Sequence, residues 1–209
     1  MVGVCKIDGN LTTLELIHQA AKAEFLEKGF KDASLRNIVK SVGMTTGAFY
    51  GYYKSKEELF EALIGEHYAY LLNCFHKAQK EFAQLPYERQ PEVMSDISGA
   101  CMFEMLHYAY EHLDECKLIL CCSEGTKFSG LIDEMVEIEV EGTHAYLKVL
   151  KELGRPSPQI DPTLEHILIT GMFHTFFELV IHEMPLQDAE NYVKDIVSGE
   201  WCLFDSASK

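Results

Sequence analysis

The stretch Ser34 to Tyr53, SLRNIVKSVGMTTGAFYGYY, limits the fold more than any other part of this 209-residue chain. Leu35, Ile38, Val39 and Val42 follow the i, i+3, i+4, i+7 rule of an amphipathic helix, and Ser34 stands where an N-cap belongs. Gly43 suits a tight turn that needs positive φ, and Thr45 opens a second short helical segment reaching Tyr52. Two short helices joined by a glycine turn form a helix-turn-helix. Before them, Thr12 or Thr13 caps a helix in which Leu14, Ile17, Ala21 and Phe25 share one side and Gly29 provides the stop. After them, Ser55 and Glu58 stand in capping-box register at the start of a long helix. Its apolar stripe runs through Leu59, Phe60, Leu63, Ile64, Tyr68, Leu71, Leu72 and Phe75.

Helical spacing continues to the end, at about 92–113, 115–123, 128–153, 163–184 and 187–203, with Pro86 and Pro91 bracketing a loop. Asp161-Pro162 supplies a cap and a first-turn proline. The expected architecture is all-α: a three-helix head over residues 1–54 and a larger helical body over residues 55–209. No uninterrupted apolar run approaches the roughly 18 residues of a membrane span, and no signal-peptide pattern opens the chain, so we expect no membrane partner and a cytoplasmic location. Seven irregularly spaced cysteines without CxxC predict free thiols.

Charge divides the chain. The formal charge is −15, yet residues 1–65 hold eight basic and eight acidic side chains, leaving ten basic and 25 acidic for the remainder. Between Lys31 and Lys56, five cations (Lys31, Arg36, Lys40, Lys54, Lys56) meet one acid, Asp32, a local balance of +4. A basic island in an acidic chain is the footprint of a nucleic-acid-binding module. The second helix of such a motif enters the major groove. Thr45, Thr46, Gly47, Tyr50 and Gly51 suit its exposed side, while Ala48, Phe49 and Tyr53 suit its packed side. Glycines at 47 and 51 weaken a helix by roughly 1 kcal/mol each, a penalty that makes sense where a backbone must approach another molecule. Tyr50, Tyr52 and Lys56 carry hydroxyl and ammonium groups fit for phosphate oxygens, and Arg36 can reach a guanine edge.

The segment LIHQAAKAEFLEKGFKDASLRNIVKSVGMTTGAFYGYYKSKEELFEAL resembles the N-terminal domain of the TetR (tetracycline repressor) family. The resemblance is carried by Ala20-Ala21, Phe25, Gly29-Phe30, Ser34, Arg36, Ile38, Gly43, Tyr50, Tyr52-Tyr53 and Ser55-Lys56-Glu57. It implies an all-helical homodimer that binds double-stranded operator DNA, most often a repressor released by a small molecule held in its C-terminal domain. Carried over by position, Arg36 and Thr46 fall among base-reading sites, and Ser34, Thr45, Tyr50, Tyr52 and Lys56 among backbone contacts. The chain departs from the family at Leu14, Glu15 and Leu16, where basic residues are common, and at Gly51, where a larger residue is common.

The body is less explicit. Met and aromatic side chains suit a permissive apolar pocket, and polar groups set among them need partners. Glu104, Tyr108, Cys121, His174 and Phe176 are the expected effector-binding residues, for an apolar or amphiphilic molecule. Leu164, Ile167, Leu168, Gly171, Thr175, Leu179 and Ile181, with Val193, Ile196 and Val197, offer a dimer bundle, and Trp201, Leu203 and Phe204 stand ready to cover it. No cofactor, metal or catalytic group is expected. His174, Glu178 and His182 spread over about 12 Å of helix, and neighbours among Cys116, Cys121 and Cys122 point apart. Nucleophile-elbow, P-loop, dinucleotide and HExxH motifs are absent, which weighs against the rival readings: a helical small-molecule or redox sensor, or an enzyme, without DNA binding.

Overall fold

The computed structural model describes residues 11–157 and 159–197, and these form helices without strands. In the head, α1 (Thr13–Asp32) starts with a full capping box. The Thr12 hydroxyl accepts the Glu15 N–H at 3.3 Å, and the Glu15 carboxylate accepts the Thr12 N–H. Gly29, at φ 72°, breaks the helical path of α1 and turns Phe30 inward. Phe25 then meets Phe60 edge-on at 4.9 Å, and Phe30 lies 5.1 Å from Phe60. Ile17, Ala21, Phe25, Ile38, Val39, Phe49 and Leu59 complete a closed core, whereas Leu14, expected on the packed side, is exposed.

The motif itself consists of α2 (Leu35–Ser41) and α3 (Thr46–Phe49). Gly43 takes φ 70°, its N–H reaches Lys40 O at 3.1 Å, and Met44 N–H reaches Val39 O at 2.8 Å. This left-handed cap ends α2 and redirects the chain. Glu24 of α1 fixes the entry to α2, accepting from Lys28 Nζ, Ser34 N–H and Asn37 Nδ2. α3 is shorter than expected, a single turn that gives way to hydrogen-bonded turns at Tyr50–Tyr52. With Gly47 inside it and Gly51 just beyond it, helix propensity does not sustain a second turn.

The body is built on α4 (Lys56–Ala83), a helix of 28 residues and about 42 Å, capped by the Ser55 hydroxyl on Glu58 N–H. It carries its stripe from Leu59 and Phe60 in the head to Leu71 and Phe75 in the body. Around it stand α5 (Gln90–Glu111), α6 (Leu113–Cys122) and α7 (Leu131–Glu152); α8 (Pro162–Ile181) pairs with α7, and α9 (Leu186–Asp195) lies on α5. The longest junction between head and body is α1 along α6.

α8 is apolar on nearly every side. By length and composition it could cross a membrane, but that test is also met by core helices, and here Phe173, Phe176, Phe177, Leu179 and Val180 are buried. Its opposite side leaves Leu164 49% and Ile167 58% exposed. Gly171 is exposed, and an added Cβ there would meet nothing within 4 Å. Of the expected bundle residues, Leu179, Val193 and Ile196 are buried within the subunit instead. Trp201, Leu203 and Phe204 lie outside the described residues.

Candidate nucleic-acid interface

Arg36 on α2 and Thr45, Thr46, Gly47, Ala48, Tyr50, Gly51 and Tyr52 around α3 all face outward. Phe49, fully buried beneath them, anchors the turn, and the Tyr53 hydroxyl reaches the His18 ring at 2.5 Å. Ala48 was expected to pack inward; the single turn of α3 is too short to wrap it against α2, and it faces outward with the threonines. Thr45 holds its cap through a 3.2 Å bond from Ala48 N–H. Ser34 occupies the N-cap position of α2 but makes no side-chain capping bond, so its hydroxyl is not engaged there. Tyr50 and Tyr52 are 56% and 46% exposed, unusual for rings of that size and suited to an external partner. A Cβ on Gly47 would come no nearer than 3.9 Å to Thr45 Oγ1, so nothing in the head requires glycine at that position.

The five cations do not act alike. Lys31 pairs with Glu124 at 2.5 Å, across to the body. Lys56 donates to the carbonyls of Phe30, Lys31 and Ala33 at 2.6, 3.2 and 3.1 Å and sits 4.4 Å from the Phe30 ring centre. Its ammonium thereby satisfies the open C-terminal carbonyls of α1 and has no hydrogen left over. Lys56 was expected at a phosphate; without DNA its ammonium fastens the end of α1. Arg36, Lys40 and Lys54 remain exposed beside the threonines and tyrosines.

The region with this geometry, residues 17–63, matches the profile of bacterial regulatory proteins of the tetR family. By this match the head is similar to the DNA-binding domain of that family. It is 48% identical over 46 residues to YdgC of Bacillus subtilis (strain 168), an uncharacterized HTH-type transcriptional regulator. That match spans 22% of this chain and 24% of the relative, about a quarter of its length. Beyond the head the likeness is one of fold. PfmR, a TetR-family regulator of Thermus thermophilus, superposes with a TM-score of 0.53 at 16% identity, over 91% of this chain and 95% of its own. A candidate fatty acid metabolism regulator of Clostridium perfringens gives 0.53 at 18% identity, over 88% and 97%.

Within the body the five expected effector residues fall in separate places. Tyr108 is stacked on Tyr70 with ring centres 3.7 Å apart, and the Tyr70 hydroxyl donates to Glu104 at 3.1 Å, so Glu104 and Tyr108 share the α4–α5 face. Cys121 is exposed near the end of α6, and His174 is exposed on α8. Phe176 is fully buried and edge-on to Phe177 at 5.0 Å, a core side chain. The helical spacing that suggested it as pocket wall is equally the spacing of a core stripe. A cleft of about 280 Å³ opens elsewhere, lined by Glu57, Phe60, Glu61, Lys127 and Phe128 at the start of α4.

One group went unseen in the sequence. His67, buried on α4, hydrogen-bonds the Tyr108 hydroxyl through Nδ1 at 2.8 Å, and its ring lies 4.7 Å from that of His112 at the α5–α6 corner. Burial holds His67 below the usual imidazole range, so it stays neutral near pH 7. Glu115 of α6 pairs with Lys22 of α1. Burial pushes the Glu115 carboxyl up, but the Lys22 hydrogen bond, the helix backbone and the Lys22 charge together hold it below the ordinary value. The available signal was a histidine inside the apolar stripe Ile64, Tyr68, Leu71.

Proposed function

We propose that this protein is a DNA-binding transcriptional regulator, most often a repressor, whose head grips a two-fold-related operator and whose body receives a small-molecule effector. The observation that carries this reading is the set of exposed residues Arg36, Thr45, Thr46, Gly47, Tyr50 and Tyr52 on a helix-turn-helix that buries Ile38, Val39 and Phe49. Arg36 reads a base edge; Thr46 and the Gly47 backbone approach the groove floor; Ser34, Thr45, Tyr50 and Tyr52 bind the phosphate backbone. The partner subunit is a second copy, joined through the exposed Leu164, Ile167 and Gly171 side of α8, and the site of action is the cytoplasm. Regulation, not catalysis, is the role assigned to the body.

Fluorescence anisotropy with duplexes from the DNA flanking its own gene tests this. A saturable, salt-sensitive complex is expected, and Arg36→Ala should weaken it by about 1–3 kcal/mol at particular base pairs and relax the preference there. Equal loss on every duplex would remove Arg36 as a reader, and no complex with any flanking duplex would overturn the assignment.

A further inference from the structure

Three groups from separate elements converge at the junction of head and body. His67 of α4, His112 at the α5–α6 corner and Glu115 of α6 each offer one ligand-capable atom, and these atoms lie within 4.8 Å of one another. His67 is buried and the other two are half-buried. Tyr108 holds the His67 ring through Nδ1 at 2.8 Å, the kind of outer hydrogen bond that fixes a ligating imidazole. Glu66 Oε1 stands 3.5 Å from His67 Nε2, a further carboxylate at the rim.

Two imidazoles and a carboxylate suit zinc, nickel or copper ions, not magnesium or calcium. Ligand bonds of about 2.1 Å in a tetrahedral site put neighbouring ligand atoms about 3.4 Å apart, so the widest observed spacing closes by at most about 1.4 Å. Three protein ligands leave a fourth position for water or a small anion. The carboxylate is also the one that Lys22 of α1 grips, and Lys22 belongs to the head. An ammonium and a divalent ion at a single carboxylate repel each other.

We propose that His67, His112 and Glu115 bind a divalent transition-metal ion of the zinc class, and that the ion draws Glu115 from Lys22, loosening α1 from α6 and lowering the affinity of the head for DNA. The coupling half of this proposal rests on the DNA-binding reading above; the metal site does not. Differential binding follows because the ammonium and the ion repel each other at the shared carboxylate, so each weakens the hold of the other.

Titration of the full chain with Co²⁺ reads the site directly, through the visible absorption of the tetrahedral ion. One equivalent should bind in the wild type and in Cys121→Ser, which excludes the exposed thiol as its source. His112→Ala should lose the band or weaken binding at least about tenfold. Far-UV circular dichroism shows whether that variant keeps its fold, and His112→Gln, closer in volume, replaces it where it does not. Equal Co²⁺ uptake by wild type and the His112 variants overturns the site. In the second arm, anisotropy on a flanking duplex compares chelator-treated protein with Zn²⁺-loaded protein. Zn²⁺ should weaken the wild-type complex about tenfold, equivalent to about 1.4 kcal/mol of coupling, and leave His112→Ala unchanged. Metal uptake without any change in DNA affinity overturns the Lys22 coupling. A metal-free protein that binds none of the duplexes defeats the regulator reading, while the Co²⁺ arm still decides the site.

Discussion

Head and body use the same helices but treat their polar groups in opposite ways. In the head, Glu24 faces donors on three sides, and the Ser34 N–H above all holds its carboxyl below the usual carboxylate range. In the body, Glu139 of α7 is half-buried with one donor, Gln79 Nε2 at 2.6 Å, and the loss of solvent pushes its carboxyl up to about 7. The head surrounds its carboxylate with several donors at the surface, whereas α7 of the body leaves a half-buried carboxylate with a single donor. That contrast explains why one half is so much easier to read than the other.

The largest expected effect tests that contrast. Glu139 keeps its proton in the folded chain up to about pH 7, whereas the unfolded chain releases it near the ordinary 4.5. The folded state therefore binds more protons between those values, so this contribution is complete below about pH 4.5 and is lost as pH rises through 7. For a half-buried group, screened in part by solvent, the difference corresponds to about 1–3 kcal/mol. Glu139→Gln, which keeps an acceptor for Gln79, should flatten the fall in stability across that window. Urea midpoints at about pH 5 and about pH 8 measure it; equal slopes in variant and wild type would mean that Glu139 is ionised in the fold. Depressed carboxyls such as Glu24 act with the opposite sign, being lost as pH falls, and variant and wild type share them.

Lys56 comes next. Because its ammonium closes the end of α1, Lys56→Ala should destabilise the head by about 2 kcal/mol, with faster hydrogen exchange at Ala33 to Asn37. A variant of unchanged stability whose DNA complex loses about one unit of salt slope would restore Lys56 as a phosphate ligand.

How much was legible follows from these residues. The sequence displayed the head because its marks are backbone requirements. Gly29 and Gly43 both take positive φ, Thr12, Thr45 and Ser55 all cap, and Arg36 with the threonines and tyrosines all face out. Helical order in the body was equally visible, with boundaries within a few residues up to α9. The chemistry of the body was hidden because a stripe of Phe and Met has the same spacing whether it lines a pocket or fills a core, as Phe176 shows. His67, His112 and Glu115 come together only through the packing of α4 against the α5–α6 corner. The contacts of Lys56 were hidden for a related reason: its type announces charge, but the packing of α4 on the end of α1 determines which carbonyls that charge meets.

The exposed side of α8 is the body's own counterpart to the outward face of the head. A Cβ at Gly171 meets nothing within 4 Å and the position is exposed, so the monomer carrying Gly171→Leu should fold as before. A second α8 against that side would be forced apart at a cost of about 1–3 kcal/mol, raising the dimer dissociation constant at least several-fold. Sedimentation velocity over a concentration series measures the change. An unchanged dimer would move the interface away from Gly171.

The smallest effect sharpens the comparison most, because it separates folding from recognition at a single atom. Gly47 sits inside the one turn of α3, exposed, with open space where a Cβ would go. Gly47→Ala should therefore leave the head as stable as before or stabilise it by up to about 1 kcal/mol, since alanine is the better helix former and the unfolded chain loses freedom. If the backbone here approaches DNA closely, the same methyl group should weaken every duplex complex several-fold while thermal unfolding moves slightly upward. Opposite signs in the two measurements would mark a residue chosen for its partner. A stabilised head with unchanged DNA affinity would instead place the closest approach elsewhere on the motif, at Thr46 or Tyr50, and glycine at 47 would then serve only to keep α3 short.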